Sequence, residues 1–82
     1  MAGLTTADGR TLAYERRGSG PMLVCHPGGP GFAGAELGDL GGLSSSRTLA
    51  LVDPRGTGGS DPAPGYSLDG YAADLDELRA HL

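Results

Sequence analysis

Two short apolar runs stand out in a chain that is otherwise rich in small and polar residues. Residues 22–26 read Met-Leu-Val-Cys-His, and residues 48–52 read Thr-Leu-Ala-Leu-Val. Neither run alternates between apolar and polar positions, so each predicts a strand buried on both faces, as in a parallel sheet covered by helices. Loops rich in glycine and proline follow them, at residues 26–34 and 53–62. We expect both loops at the carboxyl edge of the sheet, where open α/β sheets bind ligands.

The flanking pattern predicts a hairpin before these strands and a helix after them. Residues 4–16 contain two short alternating segments around Asp8-Gly9, a dipeptide that favours a type I′ hairpin turn. From residue 67 to residue 82 apolar residues recur at helical spacing, with Ser67 as the expected N-cap. The predicted apolar face consists of Leu68, Tyr71, Ala72, Leu75, Leu78 and Leu82, and Asp74 is predicted to lie outside it.

The order of elements predicts an α/β fold with parallel strands. Residues 32–46 must cross between the two strands, and their four glycines favour only a short or irregular helix. The final helix has no strand after it, although its apolar face needs a wider sheet to cover. We therefore expect residues 1–82 to form an incomplete core domain.

Composition narrows the classes of function. The 82 residues include 16 glycines, six arginines, no lysine and ten acidic residues, for a net charge of −4. The excess of acidic over basic residues argues against nucleic-acid binding. The single cysteine, Cys25, excludes an intrachain disulfide. No apolar run approaches the roughly 20 residues of a membrane span, and the N-terminus lacks the pattern of a signal peptide. We therefore expect no membrane partner, no nucleic-acid partner and a cytoplasmic location.

The first loop supports two chemical interpretations. Residues 29–34 fit G-x-G-x-x-G after a strand, and Asp53 follows about 20 residues later, as in dinucleotide-binding sites. Pro30 argues against this interpretation because it removes an amide that would face pyrophosphate. In acyl transfer, by contrast, Gly28 and Gly29 let the main chain approach a substrate carbonyl and donate to the developing oxyanion.

The second loop and the isolated side chains predict structural roles. We expect Asp53 and Arg55 to form a charged contact that braces the loops, Gly56 and Gly58 to permit turns, and Ser60 or Asp61 to cap nearby amides. His26 is interpreted as a core histidine, His81 as a complement to the helix dipole and Cys25 as a small buried residue. Two distant histidines and one cysteine offer no spacing for metal ligands.

Together the loops resemble the N-terminal part of α/β-hydrolase enzymes, specifically proline iminopeptidases. The resemblance lies in Pro27-Gly28-Gly29-Pro30-Gly31 and in Asp53-Pro54-Arg55-Gly56-Thr57-Gly58-Gly59-Ser60, and it extends over nearly the whole chain. That family carries His-Gly-Gly-Pro-Gly and Asp-x-Arg-Gly-x-Gly-x-Ser at the corresponding places. Pro27 replaces the histidine of the family, and His26 lies one place earlier.

The resemblance implies that this chain forms one side of an active site and does not contain the nucleophile. It assigns the oxyanion donor to the amide of Gly29, with Gly28, Pro30 and Gly31 shaping the loop beside Pro27 and His26. Ser60 is no nucleophile, because Gly58-Gly59-Ser60-Asp61-Pro62 lacks the last glycine of G-x-S-x-G. The nucleophile, acid and base are therefore expected beyond Leu82 in a longer parent.

The expected function is that of part of a serine hydrolase that releases N-terminal proline from peptides. The full-length parent would act on a peptide or small acyl substrate without cofactor or metal, and the isolated chain is expected to be inactive. The alternatives are another α/β hydrolase, such as an esterase or epoxide hydrolase, a dinucleotide-binding fragment, or a binding module. The binding module would accept a strand from another chain at residues 22–26.

Overall fold

A mixed four-stranded sheet and one long helix form the described part of the chain, residues 2–27 and 32–82, in a computed structural model. The strands are β1 (Ala2–Thr5), β2 (Thr11–Gly18), β3 (Met22–Cys25) and β4 (Thr48–Val52), and the helix is α1 (Leu68–His81). The strand order is β1-β2-β4-β3, with β3 and β4 parallel and the other pairs antiparallel. The predicted α/β fold class is confirmed.

The predicted hairpin is present, but its turn is wider than a type I′ turn. β1 pairs with β2 from Ala2 opposite Tyr14 to Thr5 opposite Thr11, which leaves residues 6–10 as the connection. Gly9 has φ of 88°, whereas Asp8 is not among the residues with positive φ. The predicted type I′ geometry is therefore wrong. The Asp8 carboxylate instead accepts hydrogen bonds from Arg10 Nε at 2.9 Å and from the Thr6 hydroxyl, which closes the wider turn.

The two apolar runs differ in burial because they occupy different places in the sheet. β4 lies between β2 and β3, and Leu49 to Val52 are buried. β3 lies at the edge, and its Leu23 remains 37% exposed. The expectation of full burial is therefore correct for β4 and wrong for β3, whose outer side no strand of the described residues covers.

The crossover between the parallel strands contains two short 3-10 helices, at Gly34–Leu37 and Leu43–Ser45. This confirms the predicted weak helix, which the glycines interrupt. Gly34 packs directly on β4: a Cβ atom there would lie 2.6 Å from the carbonyl oxygens of Leu51 and Val52. Only glycine allows this close approach of the crossover to the sheet.

Helix α1 covers one face of the sheet. Leu78 joins a buried cluster that contains Leu12, Tyr14, Ala50 and Val52, and a smaller cluster of Cys25, Leu49 and Leu51 lies elsewhere in the core. The helix begins as predicted, since Ser67 Oγ accepts the amide hydrogen of Gly70 at 3.1 Å.

The face that α1 buries agrees with the predicted one at Leu75 and Leu78, which pack in or against the core cluster, but differs from it elsewhere. Its buried residues are Asp74 and Leu78, whereas Leu68 is 87% exposed and Ala72 is also exposed. Asp74 and Leu78 are four residues apart and therefore share one face of the helix. The placement of Asp74 outside the contact face is wrong, because this carboxylate pairs with arginines from other elements.

Candidate active site

The two loops of interest begin at the same edge of the sheet. β3 and β4 are parallel, so the segments after Cys25 and after Val52 both start at carboxyl ends of strands. The predicted oxyanion residues Gly28 and Gly29, with the loop-shaping Pro30 and Gly31, lie outside the described residues. The described flanks of the first loop are His26 and the buried Pro27 on one side and residues 32–34 on the other.

Asp53 joins the end of the first loop to the second loop. The residue is almost completely buried, at 2% exposure. Oδ1 accepts the amide hydrogen of Gly34 at 2.8 Å, and Oδ2 accepts that of Gly59 at 3.0 Å. Gly58 has φ of 54°, and a Cβ atom on it would collide with the Asp53 carboxylate. One carboxylate thus fixes the main chain of both loops beside the carboxyl edge of the sheet.

Arg55 does not pair with Asp53, so the predicted contact is wrong. Its Nε and Nη2 atoms instead donate to the two oxygens of Asp74 on α1, each at 2.9 Å. Nη1 donates to the carbonyl oxygen of Gly65 at 2.7 Å, and Nη2 also donates to that of Gly70 at 3.0 Å. Arg55 therefore anchors the second loop to the following segment and to the helix.

Asp74 also binds the hairpin turn, because Arg10 Nη2 donates to its Oδ1 atom at 2.9 Å. The side chains of Arg10, Arg55 and Asp74 are 11%, 9% and 5% exposed. Burial alone would raise the pKa of the Asp74 carboxyl, but hydrogen bonds from Arg55 and Arg10 outweigh it and lower that pKa. The hydrogen bond to Asp74 raises the pKa of Arg55 in turn. All three groups are therefore charged at neutral pH.

Ser60 and Asp61 attach the second loop to β2. Ser60 Oγ donates to the carbonyl oxygen of Asp53 at 2.6 Å and accepts the amide hydrogen of Ala13 at 2.8 Å. Asp61 Oδ2 accepts the amide hydrogen of Thr11 at 2.8 Å, and the Asp61 amide donates to the Thr11 carbonyl at 2.9 Å. These side chains do cap amides, but on a distant strand rather than within their own loop.

The remaining glycine of the second loop permits close packing against a tyrosine. Gly56 has φ of 73°, and a Cβ atom on it would lie 2.6 Å from the Tyr66 hydroxyl oxygen. The Gly56 amide donates to the carbonyl oxygen of Asp61 at 2.8 Å, which closes the loop on itself. Positive φ is costly for any residue with a Cβ atom, so both requirements at this position favour glycine.

Three solved hydrolases share this arrangement of strands and helix. An α/β hydrolase from Sphaerobacter thermophilus is 31% identical, with a TM-score of 0.82 over 98% of this chain and 31% of that one. A hydrolase from Pseudomonas aeruginosa is 30% identical, with a TM-score of 0.84 over the same shares. An esterase from Exiguobacterium antarcticum is 28% identical, with a TM-score of 0.80 over 96% of this chain and 30% of that one.

The chain has an α/β-hydrolase fold. It spans less than a third of the length of the three hydrolases that it matches. A scan against protein-family models and a search of curated proteins gave no match. The structural likeness therefore establishes the fold, and the neighbours that share it are hydrolases.

Within this α/β-hydrolase fold, Ser60 cannot act as a nucleophile. The residue is 6% exposed, and its hydrogen bonds to Asp53 and Ala13 occupy the hydroxyl. Ser60 therefore supports the second loop rather than performing the chemistry. The dinucleotide interpretation also loses support, because the segment after the glycine loop is a four-residue 3-10 helix, Gly34–Leu37, and not a long helix with an N-terminal anion site.

Two residues at the end of β3 differ in accessibility. Cys25 is 7% exposed, as predicted, and burial raises the pKa of its thiol. His26 is exposed rather than in the core, so that expectation is wrong. Its Nδ1 atom lies 2.8 Å from the carbonyl oxygen of Pro27, and its ring meets that of Tyr71 edge-on, with centroids 5.7 Å apart.

His81, the other histidine, lies in the last turn of α1. It is the final helical residue, in agreement with its predicted place near the helix C-terminus. Its ring packs edge-on against Tyr14 of β2, with centroids 6.1 Å apart. His81 therefore also connects the helix to the sheet.

The described residues contain neither a metal-ligand cluster nor a membrane-spanning helix. No group of three His, Cys, Asp or Glu side chains in residues 2–27 and 32–82 is arranged to hold a metal ion. In the same residues, no helix combines the length and apolar character needed to cross a bilayer.

Proposed function

We propose that this chain supplies the oxyanion loop, with its supporting loop, to a serine hydrolase that releases N-terminal proline from peptides. The observation that supports the proposal is the double hydrogen bond of Asp53, to Gly34 at 2.8 Å and to Gly59 at 3.0 Å. An oxyanion hole works only if its amides are held in place before charge develops. Asp53 restrains the end of the loop that contains Gly28 and Gly29, and it does so from a buried position directly after the central strand β4.

The proposed mechanism is acyl transfer through a serine of the longer enzyme. The serine attacks the carbonyl carbon of the N-terminal proline, the peptide amine leaves, and water then attacks the acyl-enzyme. The amide of Gly29 donates to the oxyanion in both tetrahedral states. The preference for proline rests on the resemblance of residues 27–31 to the loop of proline iminopeptidases.

A second candidate is an esterase that uses the same loop. Its support is the esterase from Exiguobacterium antarcticum, which is 28% identical to this chain over 96% of the residues. Esters and amides pass through the same type of tetrahedral intermediate, so the supporting loop would serve both reactions equally.

A chimera can test the proposed function, and comparison of its ratio of anilide to ester turnover with that of the unaltered hydrolase can separate the two candidates. This chain would replace the matched 31% of the Sphaerobacter thermophilus hydrolase, and turnover of proline p-nitroanilide and p-nitrophenyl acetate would be measured. We expect turnover of the anilide that a serine inhibitor abolishes, whereas the 82-residue chain alone should be inactive. A ratio of anilide to ester turnover no higher than that of the unaltered hydrolase would favour the esterase, and serine-inhibitor-sensitive turnover by the isolated chain would contradict the proposal.

A pair of variants at one position tests the oxyanion role in the chimera. Gly29→Pro deletes the amide hydrogen, and Gly29→Ala keeps it. Removal of an oxyanion donor lowers kcat by about 10²- to 10³-fold, so Gly29→Pro should lose far more kcat than Gly29→Ala. Equal losses in the two variants would exclude this amide as the donor.

A further inference from the structure

His26 lies between the end of β3 and the first loop, and its ring contacts the main chain of the next residue. The Nδ1 atom is 2.8 Å from the carbonyl oxygen of Pro27. A carbonyl oxygen only accepts hydrogen bonds, so Nδ1 carries the hydrogen and donates it. The neutral imidazole is therefore held in its Nδ1–H tautomer, which leaves Nε2 without a hydrogen.

This hydrogen bond restrains the residue through which the chain enters the first loop. The proline ring holds φ of Pro27 at about −65°, and the direction of its carbonyl then depends on ψ alone. A hydrogen bond to that carbonyl thus restrains ψ as well. Because a peptide unit is planar, the carbonyl of Pro27 and the amide of Gly28 turn together. His26 therefore acts on the first amide of the glycine segment.

The His26 ring is itself supported by two tyrosines. Its centroid lies 5.7 Å from that of Tyr71, with an angle of 85° between the ring planes. Tyr71 lies in the first turn of α1 and also contacts Tyr66, with centroids 6.4 Å apart. Both distances fall within the range that favours aromatic pairs. Tyr66 packs closely on Gly56 of the second loop, so the three rings connect that loop to the start of the first.

Different side chains thus hold the two ends of the first loop. Asp53 accepts the amide hydrogen of Gly34 at the far end, whereas His26 donates to the carbonyl of Pro27 at the near end. The candidate oxyanion amides come between these two contacts in the sequence. Such amides must be held in place before charge develops, and a loop that is held at one end only can still turn about that end.

We propose that His26 is a positioning residue: its Nδ1 donor fixes the Pro27–Gly28 peptide unit at the entry to the oxyanion loop, and Tyr71 holds its ring. The inference rests on the proposed function, because the restraint serves catalysis only if an oxyanion forms beside this loop. The motif of proline iminopeptidases places its histidine at position 27, where this chain has proline. His26 is therefore not the counterpart of the family histidine, and its hydrogen bond is a feature of this chain.

Two substitutions separate the donor of His26 from its ring. His26→Asn keeps an N–H donor at the place of Nδ1 and loses the ring, whereas His26→Phe keeps the ring and loses the donor. Both would be made in the chimera with the Sphaerobacter thermophilus hydrolase. We expect His26→Phe to lower kcat about tenfold, less than the complete loss of an oxyanion donor, and His26→Asn to retain at least about a third of kcat. KM should change little, as for an interaction that acts in the transition state.

The relation between the two variants decides the role of His26. Equal losses of kcat would overturn the proposal, because an amide cannot replace a histidine that transfers protons. Unchanged kcat in His26→Phe, or a loss seen only in KM, would overturn it as well. The control is His81→Phe, since His81 also packs edge-on against a tyrosine, Tyr14, but lies about 15 Å from Tyr71 along α1. It should leave kcat unchanged, and a loss as large as that of His26→Phe would assign the effect to general packing and overturn the proposal.

The tautomer of His26 provides a test that does not depend on catalysis. Long-range ¹H–¹⁵N spectra of the 82-residue chain, recorded at about pH 8 where histidine is mostly neutral, show which ring nitrogen carries the hydrogen. We expect Nδ1–H, and a predominant Nε2–H tautomer would overturn the inference. If the unaltered chimera hydrolyses neither substrate while His26 is in the Nδ1–H form, the proposed function fails and the restraint of the loop by His26 stands.

Discussion

The second loop, residues 53–62, and the crossover, residues 32–46, both connect a strand to the next element, but they are held in different ways. The loop makes side-chain hydrogen bonds to β2 and to α1 across 19 to 50 residues of sequence. The crossover makes mostly local bonds, such as Glu36 to Ala33 and Ser46 to Leu43. Its long-range bonds are at two main-chain groups, the Gly34 amide to Asp53 and the Ser44 carbonyl from the Ser19 amide. Long-range polar contacts therefore give the loop its position, whereas the crossover depends on Gly34 and a few apolar side chains.

The exposure of side chains also differs between the second loop and the crossover. Asp53, Arg55 and Ser60 of the second loop are at most 9% exposed. In the crossover, Phe32, Leu40 and Leu43 are 55%, 37% and 41% exposed. A buried polar residue is tolerated only where its hydrogen bonds are satisfied, so the loop must have one geometry. An exposed apolar residue imposes no such requirement.

The largest effect is expected from Asp74→Ala, which removes the carboxylate shared by the loop, the hairpin and the helix. Arg55 would keep its charge in a buried place without a carboxylate partner, and Arg10 would keep only its bond to Asp8. Breaking a buried ion pair by removing one partner costs about 3–5 kcal/mol. Urea unfolding followed by circular dichroism should show a loss of this size, or no folded state. The matched control is Asp76→Ala, which breaks a pair whose side chains are about 70% exposed and should cost about 0–1 kcal/mol.

Acid should weaken the cluster of Asp74, Arg55 and Arg10, though less than the Asp74→Ala substitution does. The pKa of Asp74 is lower in the folded chain than its ordinary value of 3.8. Its contribution to stability is therefore fully present above the unfolded pKa and is lost as the pH falls through the folded pKa.

The measurement compares the unfolding free energies of the wild type and Asp74→Asn between pH 7 and pH 2. The advantage of the wild type should shrink below about pH 4. Asp8, whose pKa is held at about 2 mainly by its hydrogen bond to Arg10, is present in both proteins. A constant difference across this range would show that the charge on Asp74 does not stabilise the fold.

Features that depend on local sequence patterns could be predicted from the sequence, whereas the partners of long-range hydrogen bonds could not. Apolar runs located β3 and β4, and Ser67 marked the start of α1, because these features depend on neighbouring residues. Nothing local indicates that Ser60 accepts from Ala13, 47 residues earlier. The burial of Asp74 could have been predicted, since its spacing of four residues from Leu78 places both on one helix face.

An intermediate effect is expected from Ser60→Ala, which tests whether the bonds to β2 hold the loop. The substitution leaves the buried amide of Ala13 and the buried carbonyl of Asp53 without this partner, at a cost of about 1–3 kcal/mol. Ser45→Ala in the crossover is the control: Ser45 Oγ donates to Gly42 O at 2.8 Å, but the residue is exposed. It should change the free energy of unfolding by less than about 0.5 kcal/mol. Equal losses in the two variants would mean that the two segments are held alike.

The smallest effect, and one of opposite sign, is expected from Leu40→Asn in the crossover. Leu40 has φ of 54°, the one positive value among the described non-glycine residues, and asparagine adopts this left-handed region more readily than leucine does. Leu40 is 37% exposed, so the loss of its buried apolar surface offsets part of the gain in backbone energy, and the free energy of unfolding should rise by only about 0.5 kcal/mol. Leu43→Asn, at 41% exposure and without positive φ, controls for the loss of apolar surface and should not stabilise the chain. A loss of stability with Leu40→Asn as large as that with Leu43→Asn would show that packing of Leu40 outweighs its backbone strain, and that the crossover is better anchored than its local hydrogen bonds indicate.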